Sequence, residues 1–263
     1  MAVSPFLSQE RIDAMINAGH WENSTLLDHF DQHVSKTPEK PAVVDYCQET
    51  GEKREFTYQQ LAQNVNRIAI GLTKLGVEVG DVISCQLPNK WEFLALYLAS
   101  IKVGAAFNPL MPIFRHREVS YMMGFAEAKV VVVATTFRGF NYLQMMQEVQ
   151  SELPYLKHIL AIGDVNTPGS FEEKLLIPAL EEEIDADTIL KPRRLTPNSV
   201  TQLLYTSGTT GDPKAVMHTS NSLLAGTKNF VDRYSLSAAD NILMSSPLAH
   251  QTGFLVGVLI PMY

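Results

Sequence analysis

The densest chemistry in this 263-residue chain lies in the run Tyr205-Thr-Ser-Gly-Thr-Thr-Gly-Asp-Pro-Lys214. After the tyrosine come four hydroxyl side chains (Thr206, Ser207, Thr209, Thr210), two glycines (Gly208, Gly211) and one lysine, Lys214. Glycine lets a backbone turn tightly and approach an anion closely. Successive N–H groups in such turns form an anion nest. Hydroxyls add donors, and a lysine adds a compact positive charge. Together these residue types suit a polyphosphate cradle. The run is not a Walker A loop, which needs GxxxxGK[ST]: from Gly208 it reads GTTGDPK, with Ala215 after the lysine. Nor is it GxGxxG. The competing reading is a flexible Ser/Thr/Gly loop with no ligand. Its place directly after an apolar strand candidate, Val200 to Tyr205, favours the cradle.

Other reactive side chains give weaker signals. His29 and His33 stand four apart on a helix candidate with no third ligand nearby, so they read as a solvated face rather than a metal site. His116, in FRHRE, is expected at the surface. There is no HExxH and no GxSxG, which sets aside zinc hydrolase and α/β-hydrolase chemistry. Cys47 and Cys85 form no CxxC and no disulfide framework. A reducing, cytoplasmic setting is the simple expectation. No signal peptide and no transmembrane segment are evident.

Strand and helix candidates alternate around the loop. A helical preface covers about residues 1–24, with Gly19 able to end its turn. Ser24 or Thr25 can cap the next helix, and Ala42 to Asp45 reads as a strand. Tyr58 to Leu75 carries Leu61, Val65, Ile68, Ala69 and Leu72 at helical period. Strands are expected at Asp81 to Leu87, Ala105 to Asn108, Lys129 to Ala134 and His158 to Ile162. Helices are expected at Glu92 to Val103, Arg115 to Ala126, Asn141 to Glu152 and Phe171 to Glu183. The β-branched run Lys129 to Ala134 suits a buried parallel strand. The acidic run EEEIDAD reads as solvated surface, and Leu190 to Asn198 as an exposed connector. Ala215 to His218 is a strand, Ser220 to Tyr234 a helix and Asn241 to Ser245 a further strand. This alternation predicts an α/β fold, a largely parallel sheet flanked by helices. Ligands on such sheets bind outside the carboxyl ends of strands, where the Thr206–Lys214 loop falls.

Composition agrees with a folded domain. Hydrophobic residues make up 46% and charged residues 19%. The balance of 21 Lys+Arg against 28 Asp+Glu gives −7, which disfavours nucleic acid as a partner. The chain ends on FLVGVLIPMY, almost wholly apolar. Such an end predicts either a buried element or a cut inside a larger protein, with self-association possible through an exposed apolar terminus.

The string YTSGTTGDPKAV resembles the signature phosphate loop of the adenylate-forming (AMP-binding) enzymes, which include acyl-CoA synthetases, luciferases and peptide-synthetase adenylation domains. One residue departs from the pattern: Ala215 stands where the family usually has glycine, and its methyl is expected to crowd the following strand. EFTYQQLAQNVNRIAIGLTKLGVEVGDVI, LPNKWEFLALYLASIKVGAAFNPLMP and SPLAHQTGF resemble further family segments, so the likeness covers about residues 24–263. QLPNKWEF and PLAHQTGFLVGV resemble short- and medium-chain fatty acid and cyclohexanecarboxylate CoA ligases most.

The resemblance implies ATP-dependent activation of a carboxylic acid, with magnesium, and transfer of the acyl group to coenzyme A. It implies that Thr206, Ser207, Gly208, Thr209, Thr210, Gly211 and Lys214 hold the β- and γ-phosphates. It places His250 near the substrate carboxylate and acyl pocket as the catalytic candidate, with Gly253 letting the chain pass close to the acyl group. A lone histidine more often makes only a local hydrogen bond, and that alternative stays open. Family enzymes are considerably longer, so the expectation is residues 1–24 as a helical extension and 25–263 as the N-terminal part of an adenylation domain. Such a piece is not expected to complete catalysis alone. The rivals are a module that loads a carrier protein and a non-catalytic nucleotide-binding fragment.

Overall fold

The computed structural model describes residues 7–47, 50–163, 169–177, 180–206 and 212–263. Helices α1 (Gln9–Asn17) and α2 (Leu26–Lys36) precede an antiparallel pair, β1 (Pro41–Tyr46) and β2 (Lys53–Thr57). Then come α3 (Tyr58–Lys74), β3 (Val82–Gln86), α4 (Trp91–Lys102), β4 (Ala106–Pro109), α5 (His116–Ala126) and β5 (Val130–Ala134). A short hairpin, β6 (Thr136–Phe137) and β7 (Phe140–Asn141), leads to α6 (Tyr142–Val149) and β8 (His158–Ile162). The rest comprises α7 (Leu180–Glu183), α8 (Ala186–Leu190), β9 (Val200–Thr206), β10 (Lys214–Thr219), α9 (Ser220–Tyr234), α10 (Gln251–Phe254) and α11 (Ile260–Met262).

Six strands form the central sheet in the order β10-β9-β4-β3-β5-β8. All neighbours are parallel except β10, which runs antiparallel to β9 at one edge. Parallel strands need long crossovers, and here helices supply them on both faces. The alternation of β5 divides the core. Val130 and Val132 join a cluster with Leu61, Ile68 and Leu72 of α3 and Phe93 of α4. Val131 and Val133 join Val119 and Met122 of α5 and Met146 of α6. Side chains on a strand alternate between faces, so an unbroken valine run fills both layers.

Local capping sets the helix starts. Thr25 and Asp28 form a capping box on α2, as do Thr57 and Gln60 on α3. Each box satisfies two N–H groups that the first helical turn leaves free.

Five expectations need correction. The helix expected over Phe171 to Glu183 is broken into a π-helical turn, Glu172–Leu176, and the short α7. The connector after Leu190 is exposed at Lys191, Pro192, Arg194 and Thr196 as expected, but it is strapped down rather than loose. Leu190 is buried, Arg193 donates to the Val77 carbonyl at 2.8 Å, and Arg194 bridges Asp28 and Asp31 at 2.8 and 2.9 Å. His29 and His33 are half-buried rather than solvated: His33 stacks on Tyr58, and His29 packs against Tyr263. Burial, with Lys40 close by, pushes the His33 imidazole below its ordinary range. The strand expected at Asn241 to Ser245 does not form. Finally, the apolar C-terminal run is packed, not exposed. Phe254, Val258 and Leu259 are fully buried, and Phe254 meets Tyr97 edge-on at 4.8 Å. The self-association expected from an exposed terminus therefore loses its premise. Among the described residues, no helix is long and apolar enough to cross a membrane.

Glu92, in the first turn of α4, is only 3% exposed. Its Oε1 lies 3.6 Å from the Arg54 guanidinium, and its Oε2 has no hydrogen-bond partner. Burial raises its pKa above the ordinary carboxylate range. The native state therefore holds this proton more tightly than the unfolded state does. Stability falls as pH rises from the unfolded value, about 4.3, toward the raised native value. Glu92→Gln removes the titration. It is expected to raise the melting temperature at pH 7 and to leave it unchanged near pH 4, as a paired thermal-melt series would show.

Candidate functional site

Strands β3, β4 and β9 run parallel and adjacent, so their carboxyl ends open on one edge of the sheet. That edge is where open α/β sheets take ligands. Three features gather there.

The first is the hairpin between β9 and β10. The register sets Thr206 directly opposite Lys214, and Tyr205 opposite Ala215. Thr206 and Lys214 are exposed and form the two sides of the mouth of the hydroxyl-rich loop. Ser207, Gly208, Thr209, Thr210 and Gly211 lie outside the described residues. The strand end is anchored from below, because the Tyr205 hydroxyl donates to the Met122 carbonyl of α5 at 2.7 Å. Ala215 does not crowd β10. The ladder runs unbroken from Lys214 to His218 and shifts only before Thr219.

The second is the segment carrying His250. His250 is exposed and caps α10, and its Nδ1 accepts from the Thr252 N–H at 3.4 Å. An Nδ1 that accepts carries no proton, so the neutral ring keeps its proton on Nε2. The side chain thus presents a donor, which suits a carboxylate or carbonyl oxygen. This local hydrogen bond is also what an ordinary surface histidine would make. Gly253 is buried three residues further on. A Cβ there would sit 2.6 Å from the Pro247 carbonyl carbon and nearer still to its oxygen. The chain's own backbone, at Pro247 and Leu248, presses on Gly253.

The third was not singled out in the sequence. Gln86 ends β3, buried, and its Nε2 donates to the carbonyls of Met111 and Phe114 at 3.0 and 3.1 Å. It pins the loop after β4. Asn89, just beyond, holds the segment before His250 with three hydrogen bonds. Local spacing could not reveal this contact, because the partners are 155 to 159 residues apart.

A largely parallel sheet flanked by helices, with the β9–β10 hairpin at one edge, defines an α/β fold, and the comparisons place it further. Residues 30–263 match the family of AMP-binding enzymes, and the chain belongs to that family. The medium-chain fatty-acid–CoA ligase of Escherichia coli strain K12 is 32% identical over 263 residues, which cover 99% of this chain and 44% of that protein. The vibriobactin-specific 2,3-dihydroxybenzoate-AMP ligase of Vibrio cholerae is 28% identical over 241 residues, covering 87% of this chain and 42% of its own length. Among solved structures, apo MbtA of Mycobacterium smegmatis superimposes with a TM-score of 0.82 at 26% identity, covering 99% of this chain and 46% of that one. The chain spans less than half the length of each of these relatives.

Proposed function

We propose that this chain is the N-terminal part of an ATP-dependent acid–CoA ligase, residues 1–24 forming an extension and 25–263 the start of the adenylation domain. The observation that carries the reading is the hairpin mouth, with Thr206 facing Lys214 at the carboxyl edge of a parallel sheet. A carboxylate is a poor electrophile. Attack of its oxygen on the α-phosphorus of ATP forms an acyl-adenylate and releases pyrophosphate. The thiol of coenzyme A then attacks the acyl carbonyl, forming the thioester and expelling AMP. The first barrier is repulsion between two anions, so positioning and positive potential supply most of the catalysis.

In this reading Thr206, Ser207, Gly208, Thr209, Thr210, Gly211 and Lys214 cradle the β- and γ-phosphates. His250 offers its Nε2 proton to the substrate carboxylate, and Gly253 lies at the acyl pocket. A short- or medium-chain fatty or alicyclic acid is favoured by the likeness to the Escherichia coli ligase. Magnesium enters the proposal as the ion accompanying ATP.

The second reading hands the adenylate to a carrier-protein thiol instead. The likeness to an aryl-AMP ligase whose name carries no CoA keeps it open. Pyrophosphate release by the full-length protein separates the two, measured with ATP, magnesium and a panel of carboxylic acids, with and without CoA. Acid-dependent release with a CoA thioester is the expected result. Release without thioester favours the carrier. No release with any acid overturns both.

A further inference from the structure

We propose that Asn89 is a positioning residue for His250: its carboxamide clamps the Met244–Leu248 segment, fixing where the histidine stands at the carboxyl edge of the sheet. The kinetic part rests on the reading of His250 as the residue beside the substrate carboxylate.

Residues 241–246 form no regular element, although their backbone runs beside the end of β3. Backbone groups away from solvent need partners. Asn89 supplies them. Its Nδ2 donates to the Ser246 carbonyl at 2.8 Å and the Met244 carbonyl at 3.3 Å. Its Oδ1 accepts from the Leu248 N–H at 2.9 Å. Met244, Ser246 and Leu248 are alternate residues, and each turns a backbone group to the one carboxamide. One side chain therefore does what an adjacent strand would do. Both Nδ2 protons are used, so the orientation of the amide is fixed.

The segment is held from its other side as well. Gly253 and Gly257, four apart on the C-terminal helical run, leave room that Pro247, Leu248 and Met244 occupy. From Pro247 the path to His250 is short: the His250 N–H donates to the Pro247 carbonyl at 3.0 Å. The Phe254 N–H in turn donates to the His250 carbonyl at 2.8 Å. A shift at Leu248 is thus passed to the ring two residues on. Misplacing a substrate-positioning group by an ångström is enough to cost rate.

The test uses Asn89→Ala and Asn89→Asp in the full-length protein. Asn89→Asp keeps the acceptor for Leu248 but turns a carboxylate on two carbonyls, and it serves where alanine unfolds. Each is expected to raise the KM for the acid about tenfold while the KM for ATP changes by less than about twofold, the scale of a lost hydrogen-bond set felt at one substrate only. In a His250→Ala background the effect of Asn89→Ala on acid KM should shrink below about twofold, since residues acting through one another are not additive. An undiminished effect there, or an equal rise in ATP KM, overturns the proposal.

Amide hydrogen exchange tests the clamp without activity. Leu248 protection should fall in Asn89→Ala and persist in Asn89→Asp. Unchanged protection in alanine removes the clamp, whereas a wild type that releases no pyrophosphate with any acid sinks the ligase reading alone.

Discussion

Lys214→Ala in the full-length protein is expected to cut acid-dependent pyrophosphate release by about 100-fold or more, the usual scale for removing one preorganised charge from a transition state. The lysine begins β10, exposed, with its backbone paired opposite Thr206 across the hairpin. Strand pairing fixes its Cα beside Thr206, so the side chain starts from a set point at the loop mouth. Charge crowding between carboxylate and α-phosphate is what the first half-reaction must overcome, and a cation on the departing phosphates acts on that step. Lys214→Arg keeps the charge but spreads it over a planar group, and should recover only part of the rate. Lys228, ion-paired with Asp232 on α9, is the control. Lys228→Ala should leave turnover within about twofold, as exposed i,i+4 pairs contribute little. Steady-state rates at saturating ATP and acid decide the matter. Equal activity of Lys214→Ala and wild type would remove the cradle from the mechanism.

The elements that place this lysine were legible because their patterns are local. The helical period of Leu61, Val65, Ile68 and Leu72 gives α3, and the valine run gives β5. The hydroxyl-rich loop announced itself by composition, and β9 and β10 flank it as the apolar runs predicted. What the sequence hid is non-local. Asn241 to Ser245 has strand-like residues, but the carbonyls of Met244 and of Ser246 just beyond are taken by the Asn89 side chain, and no ladder forms. The Leu190 to Asn198 stretch carries polar and proline residues typical of a connector. Arg193 and Arg194 nevertheless find acceptors on Val77, Asp28 and Asp31, far away in sequence.

Asp28 shows the same limit in electrostatics. Burial alone would raise its pKa, yet bonds from the Thr25 backbone and hydroxyl, with Arg194 nearby, hold the carboxyl below its usual range. A cap at Ser24 or Thr25 was readable, but the arginine was not. The apolar terminus left two readings open for a related reason. Composition states what a segment avoids, whereas Phe93 and Tyr97 of α4 decide whether Phe254 is covered.

Gly253→Ala should be the most disruptive single methyl in the chain's C-terminal third. The added Cβ would press on the Pro247 carbonyl, whose carbon lies 2.6 Å away, and on the Leu248 Cα at 3.1 Å. These are backbone atoms, tied through Leu248 to Asn89 and through Pro247 to the His250 N–H. Neither can step aside without moving the histidine. Overpacking of this kind costs about 1–3 kcal/mol, and the upper end is expected where backbone must yield. Gly257→Ala is the matched comparison. Its Cβ would meet the Leu248 Cδ2 and the Met244 Cγ, both at 2.7 Å, which side-chain rotation can move, and the Met244 Cβ at 3.0 Å, which needs only a small shift. Replacing glycine in a helix also stabilises by about 1 kcal/mol, so the net change at 257 should be near zero. Chemical denaturation of the two variants gives the answer directly, through a midpoint drop for Gly253→Ala and little for Gly257→Ala. Equal losses would mean that the helix face, not the Pro247 carbonyl, sets the tolerance. His250 would then owe its place to the helix alone.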